Sequence, residues 1–219
     1  MTAENEGDLP DDGRSRRAQA RRERARANIL AAAVEVFSTS GYHQSSISDL
    51  HQAAGIARGT FYQYFESKNA VFLELMDELL VQLRSSVVGV DTRPGAPPVA
   101  LQLYQTVRRI LEAASQNRAL TTILMREAVG LDEEVDRRLA EFYDSLHAWV
   151  VLALENGRAS GLVRDGVDVE IAATCVIGSL RFVLERAWAQ SDGGDADLDL
   201  DRMARAILDV TAFGLLARK

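Results

Sequence analysis

The chain has 219 residues, 47% hydrophobic and 26% charged, with a net charge of −7; it is long enough for one large domain or two small ones. Its one cysteine, Cys175, excludes an internal disulfide and suits a reducing cytoplasm. No uncharged apolar run approaches the ~18 residues of a membrane span, and the N-terminal "MTAENEGDLPDDGRSRR" has no apolar stretch for a signal peptide.

The charge is segregated. Residues 1–13 hold five acids and no base, residues 14–70 hold nine bases and four acids, and residues 71–219 hold 16 bases and 23 acids. A basic module is thus joined to an acidic body, and the module can take a polyanion although the whole chain is acidic.

Residues 1–20 are polar and charged, and read as a disordered tail. Within and just beyond it, "RSRRAQARRERAR" places seven arginines and one glutamate between Arg14 and Arg26. Such an arm can track phosphates or enter a minor groove; the plainer reading is a solvated helix start. A helix pattern follows, with Ile29, Ala33 and Phe37 four apart and Leu30 and Val34 beside them. Gly41 stands where a helix-ending glycine belongs. "SSISDLHQAAG" is a second helix, opened by a Ser46/Asp49 capping box and turned inward by Ile47, Leu50 and Ala54. Gly55 gives the turn, and a third short helix is expected over about 57–65. Ser67 caps a long fourth helix through "KNAVFLELMDELLVQLRSSV".

"VDTRPGAPP" is the clearest break, with three of the four prolines. Five more helices are expected after it, over about 98–116, 118–130, 132–160, 168–190 and 198–217. The fold class is all-α, about nine helices. An N-terminal three-helix DNA-binding domain over 21–66 would carry a helix-turn-helix, and 67–219 would form a helical effector-binding and dimerisation domain.

Two short helices joined by a glycine turn make a helix-turn-helix whose second helix reads DNA. Phe61 and Phe65 anchor that helix from behind. Arg58 and Tyr62 then face outward, with Gly59 and Gln63 beside them and Thr60 and Tyr64 on the flanks. A guanidinium fork at Arg58 matches guanine O6 and N7. Gly59 lets the backbone approach the groove floor, and Gln63 suits adenine or a phosphate. The phenols of Tyr62 and Tyr64 can donate to phosphate oxygens. Lys68 opposes the dipole of the helix it begins, a poor choice for stability unless a phosphate sits there.

Residues 24–84 resemble the TetR family of bacterial regulators. The resemblance is carried by "ILAAAVEVFSTSGYHQSSISDL" and "AAGIARGTFYQYFESK". It implies that Thr60, Tyr62, Tyr64 and Lys68 touch phosphates, joined by Ser46 and Ser48. His51 departs from the pattern, standing where the family usually has a small alanine. The resemblance also implies a homodimer on palindromic double-stranded operator DNA, acting as a ligand-responsive repressor whose long fourth helix moves on ligand binding.

The expected dimer contact is the last two helices. The first offers Ile171, Cys175, Gly178 and Phe182; the second offers Met203, Ala206, Ile207, Val210, Phe213 and Gly214. In the body, Tyr104, Thr122, Met125, Arg126, Phe142, His147, Trp149 and Thr174 could line a pocket for an apolar or amphipathic effector. Aromatics at helical spacing are more often core, so a dimeric DNA-binding factor with no small-molecule effector, protein-regulated or architectural, is the alternative. The three histidines and one cysteine have no metal-ligand spacing, and no catalytic motif or cofactor site is expected.

Overall fold

In the computed structural model the described residues are 12–126, 133–190 and 198–215, and every structural statement below concerns these. They form nine helices: α1 (Asp12–Ser40), α2 (Ile47–Ala53), α3 (Arg58–Phe61), α4 (Lys68–Ser85), α5 (Val99–Gln116), α6 (Arg118–Arg126), α7 (Glu133–Ala159), α8 (Val169–Gln190) and α9 (Leu200–Leu215). The fold is all-α, as expected. The chain divides into two compact units, Met1–Phe72 and Leu73–Lys219, with the division inside α4.

In the first unit, α1 buries Ile29, Leu30, Ala33 and Phe37 on one face. Leu50 of α2 and its C-cap Ala54, then Phe61 and Phe65, complete the interior. Phe37 meets Phe72 edge-on at 6.1 Å, and Tyr42 packs on Phe72 at 4.8 Å. The Ser46/Asp49 capping box is formed. Asp49 accepts from the Ser46 N–H (2.8 Å) and hydroxyl (2.7 Å), and its own N–H reaches Ser46 Oγ at 3.3 Å. Gly41 and Gly55 end α1 and α2 at φ of 76° and 65°, a region costly for residues with a Cβ.

Two boundaries differ from the sequence reading. Helix α1 begins at Asp12, so residues 12–20, expected in the disordered tail, are helical; residues 1–11 lie outside the described residues. Arg, Ala, Gln and Glu are all good helix formers, and polarity alone did not argue against a helix. Helix α3 is four residues long. Beyond it the chain tightens to i→i+3 bonding, Gln63 N–H to Thr60 O at 3.1 Å and Tyr64 N–H to Phe61 O at 2.9 Å, before Phe65 N–H returns to Phe61 O at 3.1 Å. Gly, Thr, Phe and Tyr are weak helix formers, so the α-helical ladder does not propagate.

In the second unit, Leu111 and Ala114 of α5, Leu184 and Trp188 of α8, and Met203, Ala204 and Ile207 of α9 make one core cluster. A second gathers Val163, Val167, Val169 and Ala172, with Val151 and Leu154 of α7 packed on it. Arg138 of α7 forks onto Asp77 of α4 at 2.9 and 3.1 Å. The α9 positions Met203 and Ile207, expected on a dimer face, are therefore buried within the chain. They share a helix face with Ala204, and that face is the one α5 and α8 cover.

Hydrogen bonds from Ser46 hold the Asp49 carboxyl below its ordinary pKa. The depressed folded value means that its stabilisation is full above the unfolded-state pKa and is lost as pH falls through the folded one. Asp49→Asn should lower the unfolding midpoint at pH 7, and the gap to wild type should close as pH drops below the aspartate range. Urea unfolding over a pH series checks this; a gap independent of pH would assign the loss to something other than the carboxylate's charge.

Candidate nucleic-acid interface

The site is built on α2, α3 and the turns around them. Phe61 is wholly buried and Phe65 nearly so, and that burial turns the opposite side of the segment to solvent. Arg58, Gly59 and Gln63 are exposed, Tyr62 is 44% exposed, and Thr60 and Tyr64 are half-buried. The Arg58 guanidinium lies 5.7 Å from the centre of the Tyr62 ring, with Nη2 3.5 Å from its hydroxyl. The ring is a shelf that restricts where the fork points. A Cβ added to Gly59 would meet nothing within 4 Å, so no packing within the chain requires a glycine there.

Three contacts hold this surface from behind. Asn28 of α1 donates to the Ala54 carbonyl at 2.8 Å, tying α1 to the end of α2. Arg26 stacks 4.8 Å above the Phe65 ring. His51 Nδ1 lies 3.2 Å from the Ile56 carbonyl and donates to it in the tautomer that protonates Nδ1. His51 thus closes the turn between α2 and α3.

Ser46 and Ser48 stand at the start of α2 but are not equivalent. The Ser46 hydroxyl hydrogen and backbone N–H both go to Asp49. The Ser48 hydroxyl accepts from Gln52 Nε2 at 3.2 Å and keeps its own hydrogen to give. Lys68, expected on a phosphate, donates to the Tyr42 and Ser45 carbonyls at 2.5 and 2.8 Å. The arginines at 16, 17, 21, 22, 24 and 26 are all exposed along the first half of α1.

The candidate effector residues fall into separate places. Tyr104 and Met125 flank the α5–α8–α9 cluster, and the Tyr104 hydroxyl donates to Asp201 at 2.5 Å. His147 Nε2 lies 3.0 Å from the Glu170 carbonyl and 3.1 Å from the Thr174 hydroxyl, which pins α7 to α8. Phe142 meets Tyr143 edge-on at 5.3 Å, Thr122 is half-buried on α6, and Trp149 is exposed. Arg126 ends α6, and its side chain lies outside the described residues. Sequence reasoning missed Arg181, which donates to the Met125 carbonyl at 2.9 Å and lies 5.8 Å from the Tyr143 ring centre. Its i,i+4 pair with Glu185 at 3.1 Å lies within α8, but the Met125 and Tyr143 contacts are on other helices and carry no spacing signal.

The family model for tetR-family bacterial regulatory proteins matches residues 29–75, and that for a tetracyclin repressor-like C-terminal domain matches residues 96–213. The fatty acid metabolism regulator protein of Bacillus subtilis (strain 168) is 27% identical over 189 residues, 85% of this chain and 93% of that protein. The fatty acid degradation regulator FadR from Bacillus halodurans shares the fold, with a TM-score of 0.70 at 24% identity, covering 89% of this chain and 97% of that one. So does FadR from Bacillus subtilis in complex with stearoyl-CoA, with a TM-score of 0.68 at 22% identity, covering 86% and 98%. With a helix-turn-helix surface at one end and a family match over most of its length, this chain belongs to the TetR family and is a DNA-binding transcriptional regulator.

Proposed function

We propose that the protein is a cytoplasmic homodimeric repressor that binds a palindromic operator and is released by a small amphipathic ligand. The observation that carries the DNA half is the outward set Arg58, Gly59, Tyr62 and Gln63 over a buried Phe61. Arg58 reads a base edge from its Tyr62 shelf. Gln63 reads a base or holds a phosphate, and Gly59 allows close approach. Ser48, Thr60, Tyr62 and Tyr64 give hydroxyl donors to phosphates. The reading assigns no reaction to the chain.

The arginines of α1 belong to this surface as a phosphate track. An α-helix with side chains is about 10–12 Å across, and a B-DNA minor groove is about 6 Å wide. A helical arm therefore favours lying along the backbone over threading the groove. Arg17, Arg21 and Arg24 recur at helical spacing along one side of that helix.

One short helix reads few bases, so two heads about 34–36 Å apart are needed. Helix α8 supports the expected pairing. Ile171, Cys175, Gly178 and Phe182 form a solvent-facing stripe, with Ile171 61% and Phe182 63% exposed. A Cβ on Gly178 would meet nothing within 4 Å, which leaves room for close approach of a second helix. On α9 the exposed Ala206 and Val210 extend the apolar surface, while Met203 and Ile207 drop out of it. Phe213 and Gly214 have side-chain positions outside the described residues.

The effector class rests on the relatives: one is a fatty acid metabolism regulator, and one FadR structure holds stearoyl-CoA. An acyl chain with a polar head fits the expectation of an amphipathic ligand. A regulator without an effector remains the second reading.

Arg58→Ala should relax base preference at one position per half-site, costing about 1–3 kcal/mol there; selection from a random duplex pool reads this, and equal loss on every sequence would remove Arg58 from base reading. Phe182→Glu should leave the helical signal intact, convert the dimer to monomer in sedimentation, and abolish tight operator binding. Stearoyl-CoA should raise the melting temperature with its concentration, worth about 2.7 kcal/mol at a hundredfold excess over Kd. A flat response to stearoyl-CoA would favour the effector-free reading.

A further inference from the structure

Only two of the 25 basic side chains in this sequence are lysines, Lys68 and Lys219. A chain that otherwise uses arginine keeps a lysine at the first position of α4. The surroundings supply a reason. The ammonium nitrogen sits 2.5 Å from the Tyr42 carbonyl, 2.8 Å from the Ser45 carbonyl and 4.2 Å from the centre of the Tyr42 ring. The Tyr42 carbonyl also accepts from the buried Ser45 hydroxyl at 2.7 Å. Two carbonyls and a ring face make a compact cage for a point charge with tetrahedral donors. A planar guanidinium is broader and fixed in geometry, and it presents its donors differently.

We propose that Lys68 is a positioning residue, a clamp that fixes the loop from Tyr42 to Ser45 and thereby delivers Ser46 and the start of α2, rather than a phosphate contact. Two of its three N–H donors are committed within the chain. Its pKa is held below the ordinary lysine value, first by burial and against the opposing charge of Asp49. The side chain is half-buried, so the ammonium is partly withdrawn from solvent. The clamp also accounts for a cation at the positive end of a helix dipole, where it opposes the dipole. The charge serves the carbonyls of another segment.

The loop it holds matters because Ser45 precedes the N-cap of α2, and Ser48 lies one residue into that helix. A shift of the loop displaces the hydroxyl donors of α2 relative to α3 without removing any charge from the DNA face. Affinity then falls while the number of phosphates neutralised stays the same. This inference rests on the DNA face proposed above, and the tests separate the two.

The first measurement is acetylation of Lys68 by acetic anhydride on the full-length protein, followed by mass spectrometry, with the urea-unfolded protein as reference. Lys68 should label several-fold more slowly in the folded protein, equally with and without DNA. Labelling at the unfolded rate without DNA, followed by protection on adding it, would overturn the clamp. The second compares Lys68→Gln and Lys68→Arg on a duplex selected by the wild-type protein from a random pool, at a temperature where both variants are folded. Both should lose about tenfold in affinity with the slope of log K against log salt unchanged. Near-wild-type binding by Lys68→Arg, with the Lys68→Gln slope lower by about 0.9 per head, would make Lys68 a phosphate contact. Wild-type affinity in both folded variants would make it a purely structural residue and equally overturn the proposal. If the selection returns no preferred sequence, the DNA-reading face fails, and the labelling still decides the clamp.

Discussion

The burial of Phe61 is the constraint on which the reading surface depends. A helix of four residues has no stability of its own, because nucleation costs more than one turn of hydrogen bonds returns. What holds α3 in place is side-chain burial, about 1.5–3 kcal/mol for a fully covered phenylalanine. Phe61 has no exposed surface, and Phe65 packs on it at 6.1 Å between ring centres. Once those two rings point inward, the geometry of a helical turn leaves Arg58 and Tyr62 no other direction than outward. The dense aromatic stretch at 61–65 therefore has two roles, with phenylalanines as anchors and tyrosines as the presented edge.

A short element held by one face can still rock about it. The backs of α2 and α3 are braced by polar contacts that each span a turn or a neighbouring helix. Asn28 fixes the end of α2 to α1, His51 spans the glycine turn, and Lys68 holds the loop ahead of α2. Each bond is worth only about 0.5–3 kcal/mol net, the higher end for charged donors. Their value lies in direction, since each acts at an end where backbone groups lack helical partners. A regulator needs such bracing more than a stable fold does, because a displacement of about 1 Å at a donor is felt in hydrogen bonding to DNA.

Most of the helices were legible because their signals are local. The apolar spacing of Ile29, Ala33 and Phe37, the Ser46–Asp49 box and the glycines at 41 and 55 are read within a few residues. The α8 stripe was legible for the same reason. What failed was long-range. Nothing near Lys68 in sequence announces that its partners are the carbonyls of Tyr42 and Ser45. Met203 and Ile207 carry the same apolar signal as a dimer face, and only the presence of α5 and α8 shows that the face is already covered. The start of α1 was missed for another reason: its arginines are exposed, so the helix has no apolar periodicity to detect. The effector residues were the least legible, since an aromatic in a helix reads alike whether it lines a pocket or fills a core.

The charge distribution of the chain follows from the same division of labour. Acids outnumber bases 23 to 16 after residue 70, so a body bearing net negative charge is repelled from the DNA backbone. That repulsion opposes any orientation in which the body approaches the duplex. The basic segment before it is attracted, and seven of its eight arginines lie along the one helix α1. Attraction of the basic segment and repulsion of the acidic one favour encounters led by the basic segment. The specific contacts proposed above then need to supply discrimination rather than orientation.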